Sequence, residues 1–155
     1  MNKKEILAKL LAKIYKHYVA LKEYHQLILQ TTSEKNLYDS SIFSSLSVTE
    51  NAVLDAYLKR FSSLQDFLGA KVFPLLLNVS GINASKMSEV LFHIEKEGII
   101  DDINNWIELR EARNDLEHDY PDELQEALAD LKYCIDSFSL IESYYLKSTA
   151  FWKPR

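Results

Sequence analysis

Apolar residues recur every three or four positions along most of this chain, the spacing of helices that bury one face. Leu7, Leu10, Ile14, Tyr18, Leu21, His25 and Ile28 form the first such stripe and predict a long helix over roughly residues 3–30. His25 lies on that stripe and His17 beside it; eight residues apart, they read as packing or surface histidines rather than metal ligands on adjacent turns. Residues 31–47 are rich in Ser and Thr and read as a loop, with one short turn around Ile42 and Phe43. Thr49 then serves as an N-cap with Glu50 in the first turn. Leu54, Tyr57, Leu58, Phe61, Leu64, Leu68 and Val72 mark the second helix, which Pro74 should kink or end near Phe73.

The stretch NVSGINAS, residues 78–85, reads as a turn. Ser85 can cap a third helix running to about Glu97, and Gly98 suits its stop. Asp101 or Asp102 opens a fourth helix that Pro121 breaks. A last helix is expected over roughly residues 122–147, carrying Leu124, Leu128, Leu131, Ile135, Phe138 and Tyr145. No strand-like alternation, internal repeat or low-complexity segment interrupts this pattern. The expectation is a single all-α domain, residues 1–155, built as an up-and-down bundle of about five helices.

The composition fits that reading. Of 155 residues, 47% are hydrophobic and 26% charged, and only three glycines and three prolines break the chain. The N-terminal stretch is charged and amphipathic and has no signal-peptide core. The longest apolar run, Val72 to Leu77, is interrupted by Pro74 and is far too short to span a bilayer. A cytoplasmic protein without membrane attachment is expected. The lone cysteine, Cys134, lies on an apolar helical pattern and reads as a small buried residue. A net charge of −5 argues against a generic nucleic-acid coat, though not against a local basic pocket.

The fourth helix carries the candidate chemistry. Residues 103, 106, 107, 110, 113, 114 and 117 share one stripe. It opens with Ile103, Trp106 and Ile107, which read as core, and ends with Arg110, Arg113, Asn114 and Glu117. Leu109, Ala112 and Leu116 hold a neighbouring face that can still pack. At 100° per residue, His118 lies about 40° from Asn114 and about 140° from Arg113 around the helix. Arg113 and His118 therefore converge only at the helix end or across a second subunit. Composition and spacing alone favour a solvated surface, with His118 complementing the helix dipole.

The segment Arg113-Asn114-Asp115-Leu116-Glu117-His118-Asp119-Tyr120 resembles the R-x4-H-x-Y motif of HepT-type toxins in the HEPN superfamily. The segment from Ser85 to Trp106, with Leu91, Gly98, Ile99 and Ile100, is similar to what leads into that motif, and the resemblance spans roughly residues 48–146. It implies a homodimer in which the two motif helices form one cleft. It implies metal-independent, cofactor-free RNA cleavage, with Arg113 and His118 catalytic and Arg110 and Asn114 in support. It further implies neutralisation by a nucleotidyltransferase-fold (MntA-like) antitoxin that adds AMP to Tyr120.

The chemistry suits those residue types. RNA supplies its own 2′-hydroxyl nucleophile, so cleavage needs a proton shuttle and a cation on the phosphate. Histidine, with an unperturbed pKa of roughly 6.5, suits the first role. A guanidinium forked onto phosphate oxygens suits the second. The surroundings are acidic, however: Asp101, Asp102, Glu108, Glu111, Asp115, Glu117, Asp119, Asp122 and Glu123 surround Arg110 and Arg113. Such a field repels RNA unless the acids point away or bond to neighbours. This leaves a second expectation, a non-catalytic HEPN subunit that binds substrate for a nucleotidyltransferase.

Overall fold

The computed structural model describes residues 1–119 and 123–152, and these are all-helical, with no strand among them. Helix α1 spans Lys3–Glu34, with Asn2 accepting from the Glu5 amide at 2.9 Å as N-cap. It buries Leu7, Leu11, Ile14, Tyr18, Leu21 and Ile28. It runs four residues past the expected end because its hydroxyls bond back to helix carbonyls: Thr32 to Leu29 at 3.1 Å and Ser33 to Gln30 at 2.6 Å. The Ser/Thr run thus extends the helix instead of unwinding it.

A short helix α2, Ser40–Ser44, follows, capped by Asp39. Helix α3, Val48–Phe67, starts two residues earlier than Thr49 would set it. Ser47 is the N-cap, in a reciprocal box: its hydroxyl accepts from the Glu50 amide at 3.0 Å, and Glu50 accepts from the Ser47 amide at 2.9 Å. Pro74 does not end this helix. A π-helical turn, Leu68–Val72, passes the chain into α4, Phe73–Val79, where the proline falls in the first turn. There its missing amide costs no helical bond.

Cross-helix contacts show that α1 and residues 48–79 run antiparallel. Lys35 pairs with Glu50, His25 meets Tyr57, His17 meets Arg60, Lys13 lies over Phe67, and Lys3 reaches Asn78. Both arms are 32 residues long, which at 1.5 Å per residue is about 48 Å. This hairpin is the frame on which the rest packs.

Helix α5, Met87–Lys96, begins after the expected cap; Ser85 makes no capping bond, and its amide donates to Glu89. Gly98, at φ +77°, closes it, with Ile99 donating to the Ile94 carbonyl at 3.0 Å. Helix α6, Ile103–Asp119, has its first amides taken by Asp102 (2.6 Å) and by Glu95 of α5 (2.7 Å). The expected last helix is two, α7 (Leu124–Asp136) and α8 (Phe138–Trp152), broken at Ser137. Neither glycine nor proline marks that break. Side chains from the hairpin satisfy the released carbonyls: Tyr57 donates to Cys134 O at 2.8 Å, and His25 donates through Nε2 to Ile135 O at 3.2 Å. His25 also stacks on Phe138, so it is a packing histidine, and Cys134 is fully buried. Helices α6 and α7 pack against each other, and α6 also packs on α3 and lays Trp106 against the π-turn at Gly69, where a Cβ would lie 3.0 Å from the indole ring. Among the described residues, no helix is long and apolar enough to cross a membrane.

Candidate functional site

Helix α6 buries Trp106, Leu109, Ala112, Arg113 and Leu116. Arg113 therefore belongs to the packed face and not to the exposed polar stripe on which its spacing from Arg110 and Asn114 placed it. Ile103 and Ile107 are only half-buried, whereas Arg110, Asn114 and Glu117 are exposed. The helix is rotated so that an arginine enters the contact with α3, seven residues after Trp106.

A buried guanidinium needs partners for its N–H groups. Arg113, 6% exposed, finds them on α3. Its Nε donates to Gln65 Oε1 at 2.8 Å, its Nη2 donates to Asp66 Oδ1, and its Nη1 lies 3.5 Å from Asp66 Oδ2. Gln65, 1% exposed, uses its other end as well, donating from Nε2 to the Trp106 carbonyl at 3.0 Å. Gln65 thus ties the Arg113 side chain to the backbone of Arg113's own helix. Asp66 differs, because 63% of its side chain is exposed. The ion pair has one buried partner and one wet partner.

Beside this pair lies a cavity of about 530 Å³ between α3 and α6. Lys59, Ser62, Ser63 and Asp66 line it from α3, and Arg113 and Glu117 from α6. Of the five sequence-derived site residues, Arg113 is the one among the described residues that lines it. Arg110 and Asn114 stand in solvent on other sides of the helix. His118 lies in the last turn of α6, but its side chain, and Tyr120 entirely, fall outside the described residues.

Several acids of the motif region are held by neighbours. Asp101 accepts from Tyr144 Oη at 2.7 Å and Asn105 Nδ2 at 2.8 Å. Burial pushes its carboxyl up, but these bonds outweigh burial and leave it below the usual range. Asp102 caps α6, and Glu108 accepts from Tyr133. Glu111, Asp115 and Glu117 remain exposed. Among the described residues, no group of three His, Cys, Asp or Glu side chains is placed to hold a metal ion.

Gln65 and Asp66 were not singled out from the sequence. The signal was there for Gln65: it follows Phe61 by four residues and precedes Leu68 by three, a polar residue on an apolar stripe. No protein-family profile, no curated protein and no solved structure matches this chain.

Proposed function

We propose that the chain is a HepT-like toxin, a metal-independent endoribonuclease of the cytoplasm that acts as a homodimer through Arg113 and His118. The observation that supports this most is the R-x4-H-x-Y spacing on a helix whose arginine is fixed at the edge of a cavity. In this reading Arg113 neutralises the scissile phosphate and His118 moves the proton from the 2′-hydroxyl. Arg110 and Asn114, exposed on α6, support from the second copy across the two-fold axis. Tyr120 is the acceptor for AMP from a nucleotidyltransferase-fold antitoxin, and the added phosphate blocks the cleft by charge and bulk.

The test is cleavage of a mixed RNA pool by the purified protein in EDTA. Wild type should cleave and His118→Ala should not, with little change in melting temperature. After co-expression with the partner, intact mass should rise by whole AMP units in wild type and stay unmodified in Tyr120→Phe.

One observation favours a second reading. Asp66 already occupies Arg113, and Asp55 and Glu117 add negative charge to the same cavity. A non-catalytic subunit that holds a substrate for the nucleotidyltransferase needs no free guanidinium. Wild-type protein that cleaves no RNA yet binds the nucleotidyltransferase tightly would select this alternative.

A further inference from the structure

The acidic α6 region has a counterpart on the hairpin. No acidic residue occurs between Ile6 and Lys22 or between Ala56 and Gln65, whereas these stretches hold Lys9, Lys13, Lys16, Lys22, Lys59 and Arg60. Antiparallel pairing of α1 with α3 brings several of these cations together. Arg60 Nη1 lies 3.0 Å from His17 Nδ1, so the guanidinium donates to a neutral imidazole and not to a carboxylate. Lys13 Nζ sits 4.7 Å from the centre of the Phe67 ring, and His17 stacks on the same ring at 5.7 Å. Lys59, the residue before Arg60, lies a helical step around α3 and lines the cavity that Arg113 also lines. Lys13, Lys59 and Arg60 take part in none of the ion pairs found among the described residues.

Clustering like charges with no carboxylate within ion-pair distance among the described residues costs free energy, which an external anion recovers. The strain is visible at His17: burial, then Arg60, Lys13 and Lys59, hold its imidazole below the ordinary value of 6.5. The arrangement is also directional. From α1 it crosses the α3 ridge through Arg60 to Lys59 and ends at the Arg113 cavity.

We infer that Lys13, Arg60 and Lys59 form a track for the phosphate backbone of single-stranded RNA, leading from α1 across α3 to the cavity beside Arg113. The identity of the polyanion rests on the ribonuclease reading; the track itself rests on the charge geometry. It supplies the attraction that the acidic α6 surface lacks, so RNA approaches over the hairpin. The aromatic ring of Phe67 is covered by Lys13 and His17, so the contact is electrostatic rather than base stacking.

The experiment is fluorescence anisotropy with a labelled 2′-O-methyl dodecanucleotide, which lacks the nucleophile and is not cleaved. Lys13→Gln/Lys59→Gln removes two exposed cations from the track. Lys86→Gln/Lys96→Gln removes the same charge from α5 and serves as control. For single strands each neutralised phosphate contributes about 0.7 to the slope of log affinity against log salt. The track double variant should therefore lose about 1.4 in slope and bind at least about tenfold more weakly at low salt, while the control keeps the wild-type slope. Equal losses in both variants, no loss in either, or no binding by wild type would each overturn the track. Cleavage of an unmodified dinucleotide, too short to reach α1, reports on the ribonuclease reading separately. If that cleavage persists while the track variant binds like wild type, the track is wrong and the activity stands.

Discussion

Replacing Gln65 by leucine isolates the clamp on Arg113. The side chain is 1% exposed and both amide ends are used, so leucine keeps the approximate volume and removes both bonds. The two losses are unequal. The Trp106 carbonyl lies within α6 and keeps its own helical bond, so losing the Gln65 donor costs about 0.5–1 kcal/mol. The Arg113 Nε–H has no such reserve. Leaving a buried charged donor without its partner costs about 1.5–3 kcal/mol. Extra apolar burial by leucine returns about 1 kcal/mol. The net is a destabilisation of about 2 kcal/mol, or about 4–8 °C in Tm for a chain of this length.

The assay is urea unfolding followed by far-UV circular dichroism, which does not depend on the nearby indole. The same measurement on Arg113→Met and on the double variant closes a cycle. If Gln65 acts through Arg113, the coupling should be about 1.5 kcal/mol, because removing the arginine removes the orphaned donor. A cost below about 0.5 kcal/mol for Gln65→Leu, or a coupling within about 0.3 kcal/mol of zero, would refute the reasoning and reduce Gln65 to a packing residue.

Gly69→Ala sets a helix-propensity gain of about 1 kcal/mol against a Cβ 3.0 Å from a Trp106 ring flanked by Phe73 and Tyr144. The indole has little room to yield, so Tm should fall by about 2–4 °C; a rise would show that α6 moves freely over the π-turn. Burial, the largest cause at both histidines, holds His17 and His25 below 6.5. The unfolded chain then binds more protons below about pH 6.5, so stability should drop from pH 7 toward 5, with a smaller drop in His17→Gln. A flat or rising Tm over that window would contradict the sign. Burial pushes the Cys134 thiol up to about 12, so a disulfide reagent at pH 8 should label it only at the rate of unfolding; rapid native labelling would count against the packing described here.

The long helices were legible because each buries a periodic stripe against a neighbour, and the 3.6-residue period needs no knowledge of that neighbour. Their ends were harder to read. Thr31 to Ser33 look like loop residues by composition, yet their hydroxyls bond inward and α1 continues. Pro74 looks like a stop, yet one π-turn places it where its missing amide does no harm. The break at Ser137 had no local mark at all, since its carbonyls are satisfied by Tyr57 and His25 from helices far away in the chain. Local sequence reports local bonds, and these bonds are not local.

The same argument explains Arg113. On α6 taken alone, the neighbours of Arg113 on the stripe are Arg110, Asn114 and Glu117, so the arginine reads as part of a solvated surface. Its real environment is set by α3, 47 and 48 residues earlier, where a glutamine interrupts the apolar stripe and an aspartate follows it. Burying a guanidinium is costly unless it is both hydrogen-bonded and ion-paired. The chain meets both needs with adjacent residues, one fully buried and one largely wet. Gln65 fixes where the guanidinium sits without neutralising it. The Asp66 carboxylate balances the charge from the solvent side, where water and salt weaken its hold. In the proposed ribonuclease reading, an incoming phosphate would compete with the weaker of the two contacts and leave the positioning contact intact. This division of labour lets the arginine be part of the core and still present its charge to the cavity between α3 and α6.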